Sequence, residues 1–434
     1  MSSGHHASNA TVRRWWTTWR DVVMRTALVI MTLYAGAKLG SEFDRLLFEP
    51  TRTGATDLKL RHAEVARWFA REPVYPVLPD AVYPPASYAL LWPALGWSSI
   101  DVARWTWAMV SAASLTALSG LLVATSGANR WDLKLLVALL PLSLNATGVG
   151  IGGGQLSATA LLLAVGAARV VERTSGRWST DLPGAMLLAA SLVKPTVTAP
   201  FVCLALTSRR GWRVLAVAAT LYASLTAVAV AFQPAPIGSL VRGWIANAQR
   251  IAPQGYGTLH SWLGAIGLEA WSLWASAIAI VGLGLWLATY RHADWWIRVG
   301  VVGLVARFWA YHRIQDDVLI CLPMVALFRI AQQGPRAAGD RRDIGAGLLL
   351  ASTIVVMMIP ARFSLVSSPF MPLYNAVHAI VWIVLLWFLI RVSADPPQHA
   401  GAADPVARPD SRKSSAPGRR LGEGGEGNSG AFPT

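Results

Sequence analysis

Long apolar stretches recur through most of the chain, from Val22 to Ile390, with short polar gaps between them. An α-helix needs about 20 mainly apolar residues to cross the hydrocarbon core of a bilayer. Hydrophobic residues make up 54% of the 434 residues and charged residues only 14%, a balance that is not typical of soluble domains. The sequence therefore predicts an all-α, polytopic bundle of transmembrane helices.

The net charge of +15 would suggest a nucleic-acid partner in a soluble protein. Here the Lys and Arg residues lie mostly in the loops and tails. Anionic lipid head groups and the bias toward positively charged cytoplasmic loops account for that distribution. The sequence contains no nucleic-acid-binding motif, so we expect the lipid bilayer and no nucleic acid as a partner.

The positions of the basic loops also predict the topology. Placing these loops in the cytoplasm gives about ten full crossings plus partial or re-entrant helices. Residues 1–21 become a cytoplasmic N-terminal segment, residues 22–391 the membrane domain, and residues 41–84 the first outer loop. Residues 392–434, rich in Pro, Gly, Ser and charge, are predicted to form a disordered cytoplasmic tail.

Two segments of the predicted membrane domain are irregular, and one long segment is predicted to lie outside the membrane. The dipeptide Lys194-Pro195 interrupts residues 185–206, and proline cannot continue a helical hydrogen-bond ladder. We expect two half-length helices that dip into the membrane, with Lys194 at the tip. A helix over 135–149 is predicted to end in a glycine-rich turn over 148–154, and residues 233–261 are predicted to lie outside.

Several polar features fall together on the predicted outer side of the membrane. Polar groups distributed at random would not favour one side, so their convergence predicts a functional site. The features are Asp57, the turn Tyr83-Pro84-Pro85, the pair Gly154-Gln155, the pair Lys194-Pro195, and the segment 311–317.

Each feature also has a structural interpretation. Asp57 would only complement the positive end of a helix that Thr56 caps. Lys194 would extend from a helix end to the membrane surface, although an ammonium at that depth usually marks a binding site. Gln155 would simply start a helix.

The late polar segment has a structural interpretation of the same kind. His312, Arg313, Asp316 and Asp317 would form a solvated loop with local ion pairs.

No spacing of His and Cys resembles a metal site, and no phosphate-binding glycine loop follows a strand. We therefore expect no cofactor, while a requirement for a divalent metal stays open.

Short motifs follow one another in a fixed order: Thr56-Asp57-Leu58, Ala63, Trp68-Phe69, Val74-Tyr75-Pro76, Tyr83-Pro84-Pro85, Gly154-Gln155-Leu156, residues 191–195 with the basic group at 209–213, and residues 311–323. Together they resemble the GT-C polyprenyl-phosphate-mannose-dependent α-mannosyltransferases of glycosyltransferase family 87. The order of the motifs, rather than any single one, carries the resemblance, which covers about Val22 to Ile390.

The resemblance implies a GT-C fold and a hexosyltransferase of the bacterial inner membrane with an extracytoplasmic active site. It would move mannose, by family default, from a polyprenyl-phosphate donor to a glycolipid or polysaccharide acceptor. Asp57 matches the general base of an inverting transfer. Donor-phosphate contacts are implied for Lys194, Arg61, His62 and Lys59, with Arg52 as a further candidate. Substrate contacts are implied for Gln155, Tyr83, His260, His312, Arg313 and Asp317.

The sequence departs from the family pattern at two places. Leu259-His260-Ser261-Trp262 stands where many members have Asn-Gln-Ser, and Arg313 rather than an aromatic residue or His follows His312. These departures leave the acceptor and the donor sugar open. A transporter or flippase for lipid-linked sugars is the main alternative, and it requires a polar path to the cytoplasm. A non-catalytic envelope partner is a further alternative, for which the outer polar groups should not share one cavity.

Overall fold

A computed structural model describes residues 4–50, 53–173, 178–208, 211–334, 340–364 and 368–394. Within these ranges the chain is helical and has no strand. The helices are α1 Gly4–Phe48, α2 Thr56–Phe69, α3 Pro85–Leu95, α4 Ile100–Ser126, α5 Trp131–Leu142, α6 Asn145–Gly153, α7 Ser157–Arg173, α8 Trp178–Ser191, α9 Pro195–Thr198, α10 Val202–Leu206, α11 Gly211–Ala231, α12 Ile237–Ile251, α13 Leu259–Ala265, α14 Ser272–Thr289, α15 Trp295–Phe308, α16 Cys321–Gln333, α17 Arg342–Met357 and α18 Met371–Ser393.

Five of the described helices are long and apolar enough to cross a bilayer, which makes this a membrane protein. The bent pair α5 and α6, with 47° between its halves, would be a sixth span. The prediction of about ten crossings is not confirmed. The five spans are Asp21–Phe48, Ile100–Ser126, Gly211–Ala231, Glu269–Thr289 and Met371–Ser393.

The first outer loop is shorter than the predicted range 41–84. Helix α1 continues to Phe48, because Phe43, Leu46 and Leu47 extend its apolar face beyond the polar positions Ser41 and Glu42. The loop also contains helix α2, whose buried face includes Leu58, Val65 and Trp68. The loop therefore holds a packed helix near its start.

The glycine-rich segment forms a helix, so the predicted turn over 148–154 is wrong except at Gly154. Helix α6 continues through Gly153 and ends at Gly154, which has a left-handed φ of 73°. A Cβ atom at Gly148 would lie 2.7 Å from Lys38 Cε, and one at Gly152 would lie 2.0 Å from Glu42 Oε2. The glycines therefore permit close packing of α6 against the polar face of α1.

The predicted interruption at Lys194-Pro195 is confirmed. Helix α8 ends at Ser191 and helix α9 begins at Pro195, whose missing N–H costs nothing at a first helical position. Lys194 lies between the two helices with φ −128° and ψ 76°, outside the helical region. The break gives the Lys194 side chain a position that no continuous helix would provide.

The segment 233–261, predicted only as an outer loop, contains the 15-residue helix α12. Trp244, Asn247 and Arg250 of this helix contact the loop that precedes α3. Helix α12 was missed because its apolar residues are too few for a membrane span. Its amphipathic pattern is typical of a helix that packs along a surface.

The main core is apolar, and Cys203 and Cys321 within it are free and buried, as their apolar neighbours in the sequence indicate. Helix α1 begins within the predicted N-terminal segment 1–21. The predicted tail 392–434 lies outside the described residues from position 395 onward. The sides of the membrane on which the loops lie remain a prediction.

Candidate functional site

One cavity of about 180 Å³ lies where α2, the turn after α6, the α8–α9 break and the segment after α15 meet. It brings together residues that are far apart in the sequence. Six residues from the predicted site line it: Asp57, Arg61, Tyr83, Gln155, Lys194 and Arg313. This shared cavity contradicts the expectation for a non-catalytic envelope partner.

Asp57 lies in the first turn of α2 and lines the cavity. The residue before the helix, Ala55, has a left-handed φ of 52°, and its side chain provides no capping hydrogen bond. The Thr56 hydroxyl donates to the Thr53 carbonyl at 3.3 Å. The interpretation in which Thr56 caps this helix is therefore wrong, although the Asp57 carboxylate still complements the positive helix end.

The glycine end of α6 sets the position of Asp57. The Ala55 N–H donates to the Gly152 carbonyl at 2.9 Å, which joins the start of α2 to the end of α6. A Cβ atom at Gly153 would lie 3.1 Å from Asp57 Oδ2, and one at Gly154 would lie 2.5 Å from Leu58 Cβ. Only glycine leaves the Asp57 carboxylate this close to the α6 backbone.

We expect Gly154→Ala to lower strongly the initial rate of the sugar transfer that the resemblance implies. The left-handed φ of Gly154 costs about 1–3 kcal/mol for other residues, and the added methyl would push against Leu58. The resulting shift of Asp57 should lower the rate of the catalysed reaction by about 10²-fold. Gly120→Ala is the control, because a Cβ atom there meets nothing within 4 Å. Equal activities of the two variants would contradict this role of Gly154.

Lys194 is buried, with 6% of its surface exposed, and its ammonium is fully engaged. Its Nζ atom donates to Asp316 Oδ1 at 2.6 Å, to Gln155 Oε1 at 2.8 Å and to Ser157 Oγ at 2.8 Å. An ammonium has three donor hydrogens, so these three bonds satisfy it. The interpretation in which Lys194 extends to the membrane surface is therefore wrong.

Asp316 is the carboxylate that binds Lys194; the sequence placed it in the converging segment 311–317 but predicted no substrate contact for it. Its Oδ1 atom also accepts from Ser157 Oγ at 2.6 Å, and its Oδ2 atom lies 3.0 Å from His312 Nδ1. Burial opposes ionisation of Asp316, but the Lys194 ammonium and the His312 hydrogen bond outweigh it, so the pKa of this carboxyl lies below its usual range. The Lys194–Asp316 pair is therefore ionised.

His312 is completely buried and does not line the cavity. Burial lowers the pKa of its imidazole, although Asp316 opposes this shift. A neutral ring then donates through Nδ1 to Asp316. The prediction of a substrate contact is not supported by this position, and the solvated-loop interpretation is wrong for His312, Asp316 and Asp317, which are all buried.

Asp317 faces a different set of partners from its neighbour Asp316. Its carboxylate forms an ion pair with Arg307 and accepts a hydrogen bond from the Tyr256 hydroxyl. Both Asp residues belong to the 3-10 segment Ile314–Ile320, in which consecutive side chains point about 120° apart. Asp317 therefore stabilises the segment behind the cavity and does not line the cavity.

Arg61 lines the cavity but already has a carboxylate partner. Its Nη1 atom lies 2.6 Å from Glu64 Oε2, and its guanidinium lies 4.3 Å from the centroid of the Tyr83 ring. Burial raises the pKa of the Glu64 carboxyl to about 7, while Arg61 opposes that shift. Arg61 thus stabilises the wall formed by Tyr83, and only part of its charge is available to a phosphate.

Three further predicted residues lie away from the cavity lining. Lys59 is partly exposed on α2, and a ring nitrogen of His62 contacts the Ser98 carbonyl at 2.8 Å. His260 Nε2 lies 2.7 Å from Ser276 Oγ, and burial lowers the pKa of this imidazole. The structure does not bring these side chains to the cavity, and Arg52 lies outside the described residues.

Arg313 is the exposed cation of the cavity lining. Its Nε atom donates to the Tyr311 hydroxyl, and its guanidinium lies 5.7 Å from the centroid of the Tyr311 ring. Within the described ranges it has no carboxylate partner within 4 Å, in contrast to Lys194 and Arg61. Its charge is therefore available to an anionic ligand.

The described residues contain no group of three or more His, Cys, Asp or Glu that could hold a metal ion.

The comparison with protein families decides the class of the protein. The model of glycosyltransferase family 87 matches residues 81–328, more than half of the chain. The chain belongs to glycosyltransferase family 87. No curated protein and no solved structure matches it.

Membership of family 87 makes the chain a membrane glycosyltransferase. The matched range contains most of the cavity lining, including Tyr83, Gln155, Lys194 and Arg313. Asp57 precedes that range. A catalytic role for Asp57 in this family 87 protein therefore depends on its position in the cavity and on the motif of the first loop.

Proposed function

We propose that the protein transfers a hexose, mannose by family default, from a polyprenyl-phosphate donor to a glycolipid or polysaccharide acceptor. One observation carries the proposal: Asp57, Lys194 and Arg313 line the same cavity. A carboxylate next to cations fits a reaction in which a hydroxyl loses a proton while a phosphate gains negative charge.

In the proposed reaction the Asp57 carboxylate accepts the proton of an acceptor hydroxyl. The hydroxyl oxygen forms a bond with the anomeric carbon of the donor sugar, and the bond between that carbon and the phosphate oxygen breaks. The electron pair leaves with the polyprenyl phosphate. The attack inverts the anomeric configuration, so the reaction needs no carboxylate nucleophile.

Arg313 and Lys194 are the cations proposed to stabilise the departing phosphate. The guanidinium of Arg313 can bind two phosphate oxygens through parallel hydrogen bonds. Lys194 is held by Asp316 and would act as a fixed positive charge at the cavity wall, without a direct hydrogen bond to the phosphate. This assignment replaces His62 and Lys59, which lie away from the cavity, and gives Arg61 a supporting role.

The proposed reaction takes place on the non-cytoplasmic side of a bacterial inner membrane. The support is the distribution of Lys and Arg, which favours the outer side for the first loop and the segment 311–317. The polyprenyl chain of the donor would remain in the lipid while its sugar phosphate enters the cavity. This orientation is tested by replacing an exposed loop residue such as Asp80 with Cys and labelling the new thiol from outside in intact cells.

The proposal is tested by incubating membranes that contain the full chain with polyprenyl-phosphate-[³H]mannose. We expect the label to move to a new glycolipid or polysaccharide product. Guanosine-diphosphate-[³H]mannose should give no direct product with the purified protein. A label that crosses the bilayer but stays on polyprenyl phosphate would contradict the transferase and support the transporter alternative.

We expect Arg313→Gln to raise the KM for the donor by about 10- to 100-fold, because a hydrogen bond to a charged group contributes about 1.5–3 kcal/mol. The initial rate is measured against the donor concentration. Arg362→Gln is the matched control, because Arg362 is also exposed and contacts an aromatic ring, that of Phe363 at 5.2 Å. An unchanged donor KM in Arg313→Gln would contradict its role at the phosphate.

A further inference from the structure

The segment from Val74 to Tyr83, between α2 and α3, forms neither helix nor strand. The Val74 and Leu78 carbonyls accept from backbone N–H groups within the segment, and the other carbonyls need partners from elsewhere in the chain. Helix α12 provides most of them. Trp244 Nε1 donates to the Val82 carbonyl at 2.8 Å, and Arg250 donates to the Pro79 carbonyl.

Asn247 of α12 makes the largest number of these contacts. Its Nδ2 atom lies 3.1 Å from the Tyr75 carbonyl, 3.3 Å from the Leu78 carbonyl and 3.1 Å from the Ala81 carbonyl. Residues 244, 247 and 250 are spaced by three, which places them along one face of the helix. One face of α12 thus holds carbonyls along most of the length of the segment.

The fixed segment forms part of the cavity wall. Asp80, Val82 and Tyr83 line the cavity, and so does Ile251 at the end of α12. The Tyr75 hydroxyl also donates to the Tyr83 carbonyl at 2.7 Å, which holds the end of the segment. Asn247 does not line the cavity, so it can affect the wall only through the segment that it binds.

In this part of the cavity wall, the Asp80 carboxylate is the side-chain group that is available to bind a ligand. Asp80 is exposed, and in the described parts of the chain no cation lies within 4 Å of its carboxylate; Arg61 binds its backbone carbonyl instead, at 3.1 Å. A carboxylate repels a phosphate and accepts hydrogen bonds from hydroxyl groups. In the cavity Asp80 therefore suits the hydroxyl-rich acceptor rather than the phosphate end of the donor.

We propose that Asp80 binds hydroxyl groups of the sugar acceptor and that Asn247 is the positioning residue that holds Asp80 in place. This inference depends on the proposed function, because it divides the same cavity between two substrates. Arg313 binds the donor phosphate, and Lys194, whose three donors are already engaged, stabilises it only through its fixed positive charge. The wall from Val74 to Tyr83 selects the acceptor.

The test measures transfer from polyprenyl-phosphate-[³H]mannose to octyl α-mannoside as a function of each substrate concentration. Asp80→Ala should raise the KM for octyl α-mannoside by about 10- to 100-fold. The donor KM should change less than about twofold, since no donor contact is lost. Glu72→Ala is the control, because Glu72 is an exposed carboxylate outside the cavity lining, and it should leave both constants unchanged.

Asn247→Ala should raise the same acceptor KM, and Gln249→Ala on the exposed side of α12 should not. In the double variant Asp80→Ala/Asn247→Ala the acceptor KM should equal that of Asp80→Ala alone, because Asn247 acts through Asp80. A general loss of folding would instead lower the apparent kcat and leave both KM values unchanged, because the protein that remains folded binds its substrates normally. The acceptor KM therefore separates positioning from stability.

The outcomes distinguish this inference from the proposed function. A wild-type protein that transfers mannose, with an unchanged acceptor KM in Asp80→Ala, overturns the role of Asp80 alone. If each substitution raises the acceptor KM by its own factor and the factors multiply in the double variant, Asn247 is not the positioning residue of Asp80. A wild-type protein that transfers nothing from the donor contradicts the proposed function and this inference together.

Discussion

Replacement of Asp57 by Asn is expected to lower the rate of sugar transfer by about 10²- to 10⁴-fold, the range that a general base contributes. Asparagine preserves the size of the side chain and its place beside Gly153, but its amide cannot accept the acceptor proton. The donor KM should change little, because the phosphate contacts remain. Initial rates with polyprenyl-phosphate-[³H]mannose measure this loss.

Asp101→Asn is the matched control for this substitution. Asp101 lies in the first turn of α4, just as Asp57 lies in the first turn of α2. Asp101 is exposed and does not line the cavity. Both substitutions remove the same favourable interaction with a helix end, about 0.3–1 kcal/mol. If the two variants lose equal activity, Asp57 has only a structural role and the proposed mechanism is wrong.

Lys194→Met is expected to destabilise the protein and to abolish transfer. The Asp316 carboxylate, only 3% exposed, would lose its cation, and breaking a buried ion pair costs about 3–5 kcal/mol. Because Asp316 also holds His312 and Ser157, the cavity wall should lose its order. The temperature of unfolding in detergent and the transfer rate measure the two effects.

The variant Lys194→Met/Asp316→Asn separates these two roles. It removes both charges, and the new amide can still accept from His312 through its oxygen and donate to Ser157 Oγ through its N–H, so the unfolding temperature should recover most of its loss. Transfer should remain low, because the positive charge near the phosphate is still missing. A double variant with wild-type transfer would show that Lys194 only balances the charge of Asp316.

The break at Lys194-Pro195 could be predicted from the sequence because its cause is local. Proline lacks the N–H that a continuing helix needs, and this holds whatever packs around it. The convergence of Asp57, Gln155 and Lys194 was also expected from their predicted side of the membrane, and the three line one cavity. The missing N–H of proline and the distribution of charged residues between the loops were therefore enough to predict much of the site.

The helix α6 could not be predicted in the same way. Glycine disfavours helices in isolation, so the pattern of Gly148 to Gly154 indicated a turn. Packing reverses this preference, because the missing side chains let α6 approach Lys38, Glu42 and Arg45 of α1. Tertiary contacts of this kind leave little trace in a single sequence.

The sequence alone also could not show which of Asp316 and Asp317 binds Lys194. Both are acids in the same polar segment, and only the 3-10 geometry decides that Asp316 faces Lys194 while Asp317 faces Arg307. Arg307 was overlooked, although a charge within the apolar helix α15, 295–308, is the same kind of signal that marked Lys194; it is completely buried. Its partner could be recognised only from the fold.

The most direct test of the catalytic cavity is a cryo-electron microscopy structure of the inactive Asp57→Asn protein with donor and acceptor bound. We predict that the acceptor hydroxyl lies within about 2.6–3.2 Å of the substituted side chain at position 57. The same oxygen should lie about 3–3.5 Å from the anomeric carbon, with the donor phosphate at Arg313. A sugar phosphate bound elsewhere, with the side chain at position 57 contacting neither substrate, would contradict the proposed mechanism.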